Sequence, residues 1–170
     1  MTLPKSRLLF LLALMVCMAL LGGALYMQYG LGLEPCPMCI MQRIVLMGVA
    51  LVCLIAVLHG PKSKGYRNYG IAAFVLSGFG VALAARQLWL QSLPPEQVPE
   101  CMPSVDYMME VLPFMEVLSY MLKGTGDCAE VVWRFLGLSI PGWTLVAFIG
   151  FSLFALIEVF RSMQSRTIFS

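Results

Sequence analysis

Four stretches of the chain carry almost no charged side chain. Leu8 to Tyr29 runs 22 residues without a charge. Ile40 to Leu58, Ile71 to Leu90 and Trp143 to Phe160 run 19, 20 and 18 residues with one charge each: Arg43, Arg86 and Glu158. Crossing a bilayer core of about 30 Å takes roughly 20 apolar helical residues. Barrel strands would alternate in polarity and run only about 9–11 residues. The pattern therefore predicts an all-α membrane protein, a four-helix transmembrane bundle. Its spans are expected at 8–29, 40–58, 71–90 and 143–160, within one integral membrane domain covering 1–170.

Composition agrees. Hydrophobic residues make up 60% of the chain and charged ones 12%, against about 45–50% and about 25% in soluble domains. A net charge of +2 gives no basic patch for nucleic acid. Lys5 and Arg7 ahead of an apolar run, with Gly22-Gly23-Ala24 inside it, outline a signal peptide. The run continues to Tyr29, however, so the first span is expected to stay as a helix.

Loop charges set an expected orientation. Lys5, Arg7, Lys62, Lys64, Arg67, Arg161 and Arg166 flank the spans on one side, while the opposite loops hold only Lys123 and Arg134. By the positive-inside rule both termini and the 59–70 loop face the cytoplasm. The outer loops are then 30–39 and 91–142. The second is long enough to suggest a functional segment. Pro94, Pro95, Pro99 and Pro103 open it and favour extended, mobile backbone. Tyr107 to Leu122 is apolar with interspersed acids, too short to span. It reads as short interfacial helix broken at Pro113, or as helix packed on the bundle.

The six cysteines divide by position. Cys17 and Cys53 sit mid-span with no charged or polar sequence neighbour, as small packing residues. Cys36, Cys39, Cys101 and Cys128 all fall in or beside the outer loops, where disulfides persist. A Cys101–Cys128 bond would restrain the long loop. A bond within Cys36-Pro37-Met38-Cys39 closes too small a ring to act mainly as a staple, and such pairs are more often redox couples. Four cysteines also compose a zinc set, but the one histidine, His59, lies at the other end of its span. Cys39 falls in a first helical turn, where free amides and the dipole favour a thiolate. Arg43 follows one turn later on the same face, and an arginine inside the bilayer is a functional candidate. Arg86 and Gln87 lie at a similar depth, so the three side chains together suggest a polar pocket for a membrane-soluble electron acceptor.

The motif Cys36-Pro37-Met38-Cys39 with Arg43 resembles the bacterial disulfide bond formation protein B (DsbB) family. So does Gly126-Asp127-Cys128-Ala129-Glu130, continuing through Trp133, Phe135-Leu136-Gly137-Leu138, Pro141 and Trp143. The resemblance covers nearly the whole chain. It implies a thiol:quinone oxidoreductase of the bacterial inner membrane that reoxidises DsbA, a periplasmic thioredoxin-fold protein. Electrons would pass to ubiquinone or menaquinone, and the protein is expected to act as a monomer among membrane lipid. By position, Cys101 would take the partner's attack, Cys128 would attack Cys36, and Cys39 would face the quinone with Arg43 binding it. Some relatives carry a histidine near the outer end of span three, where this chain has Gln87. A vitamin-K-reductase-like enzyme and a cysteine-ligated metal handler are the alternatives.

Overall fold

The computed structural model describes residues 3–61, 63–101 and 105–167. Lys62 and Pro103, used above, lie outside the described residues, as do the side chains of Lys5, Lys64, Asp106 and Arg166. Among the described residues six α-helices follow one another: α1 (Leu3–Tyr29), α2 (Pro37–His59), α3 (Ser63–Gln91), α4 (Val105–Val111), α5 (Phe114–Lys123) and α6 (Ile140–Thr167). A short hairpin, β1 (Arg134–Phe135) and β2 (Leu138–Ser139), leads into α6, and Gly126–Cys128 forms a single 3-10 turn. The protein is an all-α bundle in which α1, α2, α3 and α6 are each long and apolar enough to cross a membrane.

The helices outrun the apolar stretches that define their spans. α3 starts at Ser63, eight residues before Ile71, and its first turns carry Arg67 and Asn68. Hydropathy marks the depth of lipid, whereas backbone hydrogen bonding continues into the headgroup region. α2 begins at Pro37, whose missing N–H costs nothing in a first turn. It stops at Gly60, which takes the left-handed conformation and donates its N–H to the Ala56 carbonyl (3.2 Å).

Packing is uneven around the bundle. α3 and α6 make the most extensive helix–helix contact, and α2 packs on both α1 and α3. Phe10, Cys17, Val49, Cys53, Ala56 and Phe148 fill the interior. Cys17 and Cys53 are both fully buried in this core. Leu12, Met15, Leu51, Val75 and Leu153 point outward, each more than half exposed, as a lipid-facing surface requires. Glu158 is buried near the opposite end from the paired cysteines, its charge met by Arg161 at 2.9 Å.

The long connection between α3 and α6 is built rather than loose. α4 ends at Val111, and Pro113 caps the start of α5. Val117 and Met121 of α5, with Met108 of α4, pack against Ile40 and Met41 at the start of α2. Phe114 and Met115 stay largely exposed. The segment therefore packs on the bundle along one face and leaves a second apolar face outward.

The hairpin was invisible to periodicity, because its strands are two residues each. Its turn, Leu136-Gly137, has φ of 50° and 82°, the positive pair that suits a right-twisted two-residue hairpin. Glycine takes this conformation freely. Leucine does so at a cost of about 1–2 kcal/mol. Trp133 stacks on Phe135 at 5.7 Å, and the Trp143 indole N–H donates to the Phe135 carbonyl at 3.1 Å. Ser139 donates to Gln91 at 2.8 Å, tying the hairpin to the end of α3.

Candidate redox site at the cysteine-bearing end

Cys36 is the residue that caps α2. Its backbone is extended (φ −65°, ψ 161°) and its sulfur accepts the N–H of Cys39 at 3.3 Å. A cysteine thus takes the role that serine or aspartate usually fills. The first turn then brings Cys39 Sγ to 2.7 Å from Cys36 Sγ. The Cys-x-x-Cys spacing gives this contact directly, since residues three apart share a helix face.

Cys128 arrives from the long connection. The 3-10 turn Gly126–Cys128 lies on α2 and α3, and the Cys128 side chain is fully buried. Its sulfur hydrogen-bonds with Cys36, and the backbone amides of Met38 and Thr125 also point at it. These donors, Cys36 foremost, hold the Cys128 thiol down at about 6. The same contact works in reverse on Cys36. Its thiol is pushed well above the ordinary range, first by Cys128 and then by Cys39 and burial. The contact therefore favours the anion on Cys128 over Cys36. Thr125 Oγ1 sits 3.8 Å from the Cys128 sulfur.

Cys101 is the exposed member. Its segment lies directly on Gly126, whose N–H donates to the Glu100 carbonyl at 3.2 Å. A Cβ on Gly126 would sit 2.6 Å from the Pro99 carbonyl oxygen and 2.8 Å from Cys101 Sγ. Only glycine admits this approach. The Asp127 carboxylate, bonded to the Cys101 thiol, pushes that thiol up, with Glu130 adding to the effect.

Two buried amides complete the site. Gln87 of α3 donates from Nε2 to Cys36 Sγ (3.2 Å) and Cys39 Sγ (3.4 Å). Gln42 of α2 donates from Nε2 to Gln87 Oε1 at 2.8 Å. Sequence reasoning singled out Gln87 and missed Gln42. The available signal was a second glutamine three residues after Cys39, on a helix with few other polar side chains.

The two arginines go elsewhere. Arg43 directs its guanidinium to α1, donating to Gln28 Oε1 and to the Ala24 carbonyl (3.1 Å). Arg86 donates from Nε to the Lys123 carbonyl at 3.0 Å, at the end of α5, and lies over the Trp89 ring. Beside it is an open pocket of about 580 Å³ walled by Arg86, Met115, Leu118, Ser119, Leu122 and Lys123. Cys39 is not among those walls. The structure thus gathers Cys36, Cys39, Cys128 and Gln87 at one point and sets Cys101 beside it. It sends Arg43 and Arg86 to opposite neighbours. Among the described residues, no three of His, Cys, Asp and Glu are grouped to hold a metal ion.

A multi-pass membrane protein with a cysteine pair capping one span, and a third cysteine buried against that pair, is built for thiol–disulfide chemistry. The family model described as "Disulfide bond formation protein DsbB" matches residues 6–157, and the chain belongs to that family. It is 58% identical to disulfide bond formation protein B of Marinobacter nauticus over 161 residues, covering 95% of this chain and 96% of the relative. The protein of that name from Hahella chejuensis is 55% identical over 147 residues, 86% of this chain and 89% of the relative. Disulfide bond formation protein B 1 of Pseudomonas aeruginosa is 47% identical over 161 residues, 95% and 99% of the two chains.

Proposed function

We propose that the protein is a thiol:quinone oxidoreductase of the bacterial inner membrane that reoxidises a DsbA-like periplasmic thioredoxin-fold protein. The observation that carries this reading is the order of the sulfurs. An exposed Cys101 leads to a buried, acidic Cys128, which touches Cys36, which touches Cys39 at the mouth of a membrane helix.

In the oxidised protein, a partner thiolate attacks Cys101 Sγ and breaks a Cys101–Cys128 bond. Cys128 leaves as a thiolate, and a thiol of low pKa is the better leaving group. Cys128 then attacks Cys36 Sγ, breaking the Cys36–Cys39 bond and releasing Cys39 as a thiolate. The partner's second thiol resolves its bond to Cys101, and Cys101 resolves Cys128 from Cys36. The partner has lost two electrons and two protons. The electrons stand on the Cys36–Cys39 pair.

A quinone supplies a two-electron, two-proton acceptor soluble in the bilayer. The donor set suits it: Cys39 lies in the first turn of a span, with Gln87 as an amide donor and Arg43 one turn deeper at the α1–α2 contact. Cys39, Arg43 and Gln87 would hold it, Gln87 acting beside the sulfurs to which it already donates. Arg86, also on α3, donates to the Lys123 carbonyl at the end of α5. Both termini and the 59–70 loop face the cytoplasm, and the cysteine-bearing end faces the periplasm, in accord with the basic loops.

The test is anaerobic mixing of the purified protein with a reduced DsbA-type oxidase and ubiquinone or menaquinone. Stoichiometric loss of oxidised-quinone absorbance is expected. No loss with either quinone overturns the proposal.

A further inference from the structure

Gln42 and Gln87 are a physical puzzle in an apolar bundle. They are 4% and 2% exposed, and a buried amide costs several kcal/mol unless its hydrogen bonds are made. Gln87 makes them in a directed way: its oxygen accepts closely from Gln42 Nε2 (2.8 Å) and only distantly from the Cys39 thiol (3.9 Å), while its NH2 group is turned to two sulfurs. The two ends of a glutamine amide are nearly the same shape, so packing alone cannot choose between them. A donor aimed at Oε1 can. With the amide reversed, its oxygen would face the sulfurs and repel a thiolate.

We propose that Gln42 is a positioning residue. By donating to Gln87 it locks the Gln87 NH2 group onto the Cys36–Cys39 pair and so favours the reduced pair over the disulfide. Thiolate sulfur is a much better acceptor than disulfide sulfur, because hydrogen bonds to charged groups are the stronger ones. The donor therefore pulls electrons onto the pair and makes it more oxidising. This rests on the redox role proposed above for the pair, but its test needs neither quinone nor partner.

Full-length protein carrying Cys101→Ser and Cys128→Ser would be equilibrated in a glutathione redox buffer at one pH, and the reduced fraction of the Cys36–Cys39 pair read by alkylation and mass spectrometry. The reaction is balanced. Two glutathione thiols become one disulfide, the protein S–S bond breaks, and the pair holds the two electrons as a thiol and a thiolate with one proton released.

Met copies the length of Gln without its polar atoms. Gln87→Met is expected to shift the equilibrium toward the disulfide by about tenfold, the scale of a lost hydrogen bond to a charged group. Gln42→Met is expected to shift it by about threefold in the same direction. In the Gln87→Met background, Gln42→Met is expected to add nothing, because its effect passes through Gln87. If the pair is only interhelical adhesive, both variants lower the melting temperature and leave the equilibrium where it was, and the proposal fails. It also fails if Gln42→Met has the same effect with and without Gln87. If the equilibria behave as expected while quinone reduction is absent, the positioning role stands and the quinone assignment falls.

Discussion

Cys101 and Cys128 belong to the same long connection and lie 27 positions apart, yet they are held in opposite ways. Cys128 is fully buried, follows α5 and precedes the hairpin, and both of those elements are tied to the spans. Cys101 is exposed and docks through the Gly126 N–H to the Glu100 carbonyl, the bare Cα of Gly126 and the Asp127 carboxylate. Their chemistry divides along the same line: Cys128 is made acidic by Cys36 and two amides, and Cys101 is made less acidic by Asp127. A relay needs both kinds. One sulfur must be free to enter a partner's groove, and the other must wait in fixed register with the next disulfide.

The sharpest test of this division removes either sulfur. Cys101→Ala and Cys128→Ala should each cut partner-driven quinone reduction by about a hundredfold or more. Mixed with the partner in its disulfide form, a Cys128→Ala protein should trap a mixed disulfide as the Cys101 thiolate attacks the partner's S–S bond and releases the partner's second thiol, and a Cys101→Ala protein should not. Comparable trapping in both would erase the distinction.

Next in size is the docking itself. Gly126→Val puts carbon where the Pro99 carbonyl and Cys101 Sγ now lie, so Cys101 must move away. Displacement of a reacting group by about 1 Å can cost on the order of a hundredfold. Turnover should fall by about that factor, while reduction of the Cys36–Cys39 pair by a small dithiol stays unchanged. Yield of the Cys101–Cys128 disulfide on mild oxidation measures the displacement.

The acidities offer a third comparison. With a thiol near 6, Cys128 is about nine-tenths thiolate at pH 7. Its thiolate forms as pH rises through 6 and is lost below it. Cys36→Ala removes the largest cause, so the Cys128 titration should climb toward the ordinary 9.0. Asp127→Asn should do the opposite to Cys101, lowering its titration because the carboxylate is what raises it. Thiolate absorbance against pH, taken as a difference from the matching cysteine deletion, reads both.

The smallest effect concerns the tether of α5. Arg86→Ala deletes a cation from the carbonyl end of that helix, an interaction worth about 0.3–1 kcal/mol. Proteolysis should become faster within Phe114–Lys123, with the Cys36–Cys39 equilibrium untouched. A changed equilibrium would return Arg86 to the redox site.

What was legible in the chain and what was not follows from the range of each interaction. Four spans show in the sequence because lipid demands about 20 apolar residues in a row, a local requirement. The Cys36–Cys39 contact shows for the same reason, since helical geometry fixes neighbours three residues apart. The break at Pro113 is likewise local. Tertiary structure alone decided that Cys128 meets Cys36, that Gln42 of α2 meets Gln87 of α3, and that Arg43 turns to α1 and not to the sulfur one turn above it. Each depends on how helices rotate about their axes and how a loop of some 50 residues closes over them. Hydropathy constrains neither, because every face of a membrane helix is apolar and a long loop closes at almost the same entropic cost in many registers.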